Sequence, residues 1–250
     1  MNRFPILVSI LFFSGCELFE DVKETFEGLT NPLVAQSVFL GVEADGVDPE
    51  MLEALNVESG VAASVFLADA NNADEMENAP ISGAIVHMGE TSAVEAADGT
   101  YVIEPGVLTY VVGTTWVVTM DIGEATSQAD FTLPNAPQAT VPTIHAANTS
   151  LDISLEGQGF DIIIGTVGRL EPSEITWSNE PTDARDVFDL ATGSSDGILN
   201  IPPEAFPSSG AYVIGVGGLT KSRGQQMDNM NTALSNITAG KMKLFPVVIP

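Results

Sequence analysis

Between residues 83 and 133 the chain repeats one short-range pattern. Six runs rich in β-branched, aromatic and other apolar residues fall at 83–88, 93–96, 100–103, 107–112, 116–121 and 129–133, with turn dipeptides such as Asp98-Gly99 and Pro105-Gly106 between several of them. Segments this short, closed off by glycine and proline, suit strands better than helices, and strands at this spacing fold into a sandwich. A second set follows at 151–155, 160–164, 174–177, 187–191, 197–201, 211–216 and 242–249. The expected fold is all-β, as two tandem β-sandwich domains with a short helical N-terminal segment. A chain of 250 residues, 44% of them hydrophobic, holds one large or two small globular domains and is too apolar for disorder.

The boundary between the two sets is marked by Pro134-Asn135-Ala136-Pro137-Gln138-Ala139-Thr140-Val141-Pro142, where three prolines in nine residues favour an extended, stiffened backbone. The spacing therefore predicts a first sandwich over 61–134, which a strand at 34–43 can join, a proline-rich linker over 135–146 and a second sandwich over 147–250. Ser37-Val38-Phe39-Leu40 and Ser64-Val65-Phe66-Leu67 both read as strands. Asp48-Pro49 between them supplies an N-cap and a first-turn proline for a helix over 48–55. Gly83-Ala84-Ile85-Val86 followed by Asp98-Gly99-Thr100-Tyr101 resembles the small bacterial domains of prealbumin or carboxypeptidase-regulatory type, a resemblance that implies a spacer or binding module. Trp177 in an early strand and Tyr212 in a late one resemble the core anchors of fibronectin type III and immunoglobulin-like (Ig-like) sandwiches.

At the N-terminus, Arg3 precedes a run over 4–13 in which all but Pro5 and Ser9 are strongly apolar. That is a signal-peptide pattern, over 1–15, and the run is shorter than the roughly 20 residues a membrane span needs. Phe13-Ser14-Gly15-Cys16 resembles the lipobox of bacterial lipoproteins, with Phe13 where Leu is usual and one Arg in the leading region. The resemblance implies lipidation of Cys16, a mature chain starting there and a membrane attachment through more than one acyl chain, which holds where a single chain is marginal. It also implies the bacterial cell envelope. An Asp after the lipidated Cys retains such proteins at the inner membrane, so Glu17 points to the outer one. The alternative is a secretory peptide whose only Cys is incidental. The segment over 16–60 reads as lipid-proximal with short helices, the first carrying Leu18, Phe19, Val22 and Phe26 on one stripe.

Charge narrows the partners. The chain has 34 Asp and Glu against 8 Lys and Arg, for a formal charge of -26, and no Lys or Arg stands between Glu24 and Gly168. Nucleic acid and anionic membrane surfaces are recognised through Lys and Arg, so neither is expected as a partner of the body. The single Cys precludes an internal disulfide. His87 and His145 are the only histidines, and both read as structural or surface residues. No His-Glu-x-x-His pair or phosphate-cradling glycine loop is present. Val213-Ile214-Gly215-Val216-Gly217-Gly218-Leu219 reads as a strand end or hairpin, and 228–238 as a loop with one helical turn.

Calcium is the one metal with support. The stretch over 69–77 packs six oxygen-bearing side chains into nine residues, making Asp69, Asn71, Asp74, Glu75 and Glu77 candidate ligands. A solvated polar connection explains the same residues. No other cofactor is expected. The resulting expectation is a non-catalytic envelope lipoprotein that binds, spaces or scaffolds, with an envelope protein or polysaccharide as partner. The alternatives are an envelope hydrolase with an acidic cleft, which needs one carboxyl of raised pKa facing another, and a calcium-dependent adhesive module.

Overall fold

The computed structural model describes residues 32–49, 52, 60–69, 80–97, 99–179, 195–223, 227, 229–232 and 235–250. The signal segment, Cys16, the stripe over 17–28, the strand expected at 187–191 and most of the helix expected at 48–55 lie outside them. Of that helix, a bond of α-helical type from Leu52 N to Asp48 O, 3.2 Å, is described.

The architecture is all-β and built as a sandwich. One eight-stranded sheet runs in the order β11 (Glu174–Ser178), β10 (Ile162–Arg169), β13 (Gly210–Arg223), β14 (Asn236–Ile249), β1 (Leu33–Glu43), β2 (Gly60–Asp69), β6 (Thr100–Leu108), β5 (Val94–Ala97). A four-stranded sheet has the order β4 (Thr91–Ser92), β3 (Ile85–Met88), β7 (Thr115–Ile122), β8 (Ala125–Thr132), and a two-stranded one pairs β12 (Ile198–Ile201) with β9 (Leu151–Ser154). Neighbouring strands are antiparallel except β1 and β14, which run parallel from Gln36↔Asn236 to Glu43↔Lys243.

β14 organises the molecule. It pairs with β13 over 14 residues, from Gly210↔Ile249 to Arg223↔Asn236, a length of about 45 Å at the usual rise per residue. Side chains alternate between faces along a strand. Ile237 and Ala239 enter a first hydrophobic core, Val247 and Ile249 a second, and all four share one face of β14. Met242 and Leu244 point to the opposite face, into a third cluster with Leu40, Val42, Ile162, Ile164 and Leu219.

The two small sheets therefore cover one face of the large sheet at its two ends. The four-stranded sheet contributes Val86, Met88, Val118, Met120 and Phe131 to the first core, against Phe39, Val65, Leu67 and Tyr101. The rings of Phe39 and Phe131 meet with centroids 4.3 Å apart. The two-stranded sheet brings Ile153, Leu199 and Ile201 to the second core, against Val167, Tyr212, Ile214 and Val216. Tyr212 is fully buried and donates its hydroxyl to Ser208 O at 2.9 Å, so it anchors this core, while Trp177 packs half-buried on the edge strand β11.

Three segments differ from the local sequence pattern. The runs at 100–103 and 107–112 are not two strands. β6 continues through Pro105-Gly106 as a bulge in which 104–107 stand opposite Ala62, because a proline cannot donate to the ladder and the strand must step out of register there. Gly215, Gly217 and Gly218 lie in the interior of β13 rather than at a strand end or hairpin. Residues 236–238, expected in a loop, begin β14. The proline-rich stretch forms neither strand nor helix, and it is docked rather than loose: Ala139 and Val141 pack on the second core, and Gln138 and Gln158 exchange hydrogen bonds of 2.7 and 2.9 Å. Further on, Ile144 bridges Val248. This stretch separates the two small sheets, while the large sheet contains strands from both sides of it.

Candidate functional site

Between the two cores the shared face of β14 carries Lys241 and Lys243. Alternation puts Glu43 of β1 on the same face, beside Lys243 in register, with Gly41 beside Lys241. Glu43 Oε2 meets Lys241 Nζ at 2.5 Å and Oε1 meets Lys243 Nζ at 3.3 Å, so one carboxylate bridges two ammonium groups. The hydrogen bond from Lys241, followed by the charges of both lysines, outweighs partial burial and holds the Glu43 carboxyl below its ordinary range.

Two aromatic rings wall this seam, each resting on a glycine. A Cβ on Gly41 would lie 2.5 Å from Tyr110 Cδ2, and one on Gly218, the other neighbour of Lys241, would lie 2.6 Å from the Phe160 ring. Any larger residue at either position would displace a ring. Lys241 Nζ stands 5.5 Å from the Tyr110 ring centre and Lys243 Nζ 5.9 Å from that of Phe245, within reach of cation–π attraction. The Tyr110 hydroxyl donates to Pro134 O at 2.9 Å, and burial pushes its phenol pKa well up, so it stays a neutral donor.

These bonds place the proline-rich stretch across the seam. It starts at Pro134, tied to the tyrosine over Gly41, and reaches Gln138, tied to Gln158 two residues before the phenylalanine over Gly218. Lys241 is the more covered of the two cations, with 18% of its side chain exposed against 36% for Lys243. Nothing in the local sequence signals this site, since its members come from residues 41–43, 110, 160, 218 and 241–245 and are brought together by strand register.

The residues singled out by sequence fall elsewhere. Cys16 and four of the calcium candidates, Asn71, Asp74, Glu75 and Glu77, lie outside the described residues. Asp69 ends β2 opposite Leu33, and the base of the acidic stretch is closed by a bridge between Ala68 and Pro80. His87 Nδ1 sits 3.2 Å from Ser92 Oγ, and His145 Nε2 lies 3.0 Å from Thr149 O with its ring edge-on to Phe206. Each is thus engaged locally. Glu95 is partly desolvated, yet bonds led by that from Gly83 N bring its pKa down. Among the described residues no group of three or more His, Cys, Asp or Glu is placed to hold a metal, and no helix is long and apolar enough to cross a membrane.

No protein-family model and no curated protein matches the chain. Among solved structures, it is similar to the N-terminal Ig1-2 module of the Drosophila receptor protein tyrosine phosphatase DLAR, at 12% identity, 85% of this chain, 97% of that one and a TM-score of 0.28. A tetra-tandem repeat from the extending region of a large adhesion protein matches at 11% identity, 86% and 50% coverage and a TM-score of 0.23. A Bacteroides ovatus glucan-utilization protein, SGBP-B, solved with a mixed-linkage heptasaccharide, matches at 18% identity, 72% and 41% coverage and a TM-score of 0.20. At these TM-scores the architecture is defined by the strands and cores described above.

Proposed function

We propose that the protein is a bacterial envelope lipoprotein, lipidated at Cys16, whose β-sandwich body acts as a non-catalytic binding module. The observation that carries this reading is the position of the only cysteine, directly behind an apolar signal-like run and ahead of an all-β body. From Cys16 to Leu33, where β1 begins, the chain can reach at most about 60 Å. β14 runs parallel to β1 and continues beyond it, so the second core lies at the end of the large sheet farther from the point where the tether joins. A strongly acidic body is repelled by anionic headgroups, and an acyl anchor holds it near a membrane that its own surface would not bind.

The chemistry of the described site favours binding over hydrolysis. Glu43 is a fixed carboxylate between two cations, the reverse of the raised-pKa acid that a hydrolytic pair requires. The partner expected is an envelope protein or polysaccharide. Mass spectrometry of the mature N-terminus should find Cys16 first and carrying acyl mass, and Cys16→Ser should release the protein into the soluble fraction. A Cys16→Ser chain that still sediments with membranes, or an unmodified Cys16, would overturn the anchor.

A further inference from the structure

We propose that the seam between the two cores is an anion site that accepts one carboxylate group of a ligand, held by Lys243 with Lys241 behind it. Two ammonium groups share the single carboxylate of Glu43, so among the described ion pairs of the seam one positive charge is in excess. Among the described residues Glu43 is the only carboxylate in ion-pair contact with either lysine. Glu43 engages each ammonium through one oxygen, whereas an ammonium has three N–H donors, and the flanking Tyr110 and Phe245 rings offer π faces rather than charged acceptors. A second carboxylate satisfies both the charge and the donors.

The surroundings select its size. In a chain of charge -26 any polyanion meets repulsion from the rest of the surface, while fields beyond roughly 8 Å are screened at physiological salt. A single carboxylate in contact with Lys243 gains the local attraction without the wider repulsion. Lys243 is the accessible cation, at 36% exposure, and it sets the side of entry. The walls are preorganised, since Tyr110 and Phe160 sit on glycines and the Tyr110 hydroxyl is tied to Pro134 O.

This deepens the binding-module reading and rests on it, but not on the anchor. The full chain in nonionic detergent carries the test whether or not Cys16 is acylated. Acetate, glucuronate and N-acetylalanine are titrated while the lysine side-chain resonances are followed by NMR, with acetamide as the uncharged control. Saturable shifts at Lys243 and Lys241 with the carboxylates and none with acetamide are expected. Lys243→Gln should lose the shift still observable at Lys241, Lys243→Arg should keep it, and Glu43→Gln, which removes the competing carboxylate, should tighten binding roughly five- to tenfold. Stronger shifts with glucuronate assign the carboxylate to a sugar, and stronger shifts with N-acetylalanine assign it to a chain end. No saturable shift with any carboxylate, or a Glu43→Gln chain that is folded and binds no tighter, would overturn the proposal. A folded Lys243→Gln chain that binds as well as the parent would do the same.

Discussion

The two cores are covered in different ways. The first is roofed by β3, β4, β7 and β8, four strands that fall within residues 85–132 and form their own sheet. The second is roofed by two four-residue strands that pair residues 151–154 with 198–201, supplemented by Ala139 and Val141 of the proline-rich stretch and by Phe206 after the 3-10 turn Pro203–Ala205. A locally assembled cover needs little chain closure, while the second must bring distant pieces together before any of them is buried. Yet the locally covered core depends on the most distant strand of all, because Ile237 and Ala239 of β14 complete it. Separate hydrophobic cores do not imply separable folding units when one strand crosses both.

The largest test of that contrast is truncation. A chain ending at Leu133 keeps the whole first cover but loses β14 and with it the backbone partners of β1 from Gln36 to Glu43. We expect no cooperative melt and poor dispersion in an amide NMR spectrum, and a well-dispersed, cooperatively melting fragment would show the first core to be self-sufficient. Next in size are Phe39→Ala and Phe206→Ala, one in each core, both essentially inaccessible. Each should lower stability by about 3–5 kcal/mol. Calorimetry of the full chain should show both substitutions moving the same single transition, and two transitions that respond separately would divide the molecule at the seam.

The smallest expected effect lies in the seam itself. The folded-state pKa of Glu43 is depressed below 4.5, so its contribution is fully present above the unfolded value and is lost as pH falls through the folded one. Glu43→Gln should remove that acid-side loss, at most about 1 kcal/mol for a partly exposed pair, while leaving stability at pH above 5 lower than in the parent. Urea melts compared at several pH values from neutral downward measure it. Identical pH profiles for the two chains would show that the bridge between the cores is energetically silent.

Local patterns made the class of the fold readable, because short apolar runs closed off by turn residues mark strands without reference to what they pair with. β9, β11 and β12 lie close to the expected runs for this reason. β14 is the counterexample. Asn236-Ile237-Thr238-Ala239-Gly240 is polar and small-residue-rich and carries no strong strand signal, yet both its edges are paired, by β1 and β13, and that satisfaction of backbone groups decides its conformation. The seam was equally hidden, since Glu43, Tyr110 and Lys241 are each unremarkable in their own surroundings. Its glycines were visible as residues, but only the rings lying on Gly41 and Gly218 give them a purpose.

Composition and local order thus determined an acidic, all-β chain with a signal-like start, a lone cysteine and two groups of strands. Those properties depend on neighbours a few residues apart. Tertiary structure decided that the groups share one sheet, that the proline-rich stretch lies docked across it, and that two of the few cations meet a glutamate between the cores. Strand register sets these relations between residues up to two hundred positions apart, as for Glu43 and Lys241, and register is a property of paired strands that no single segment encodes.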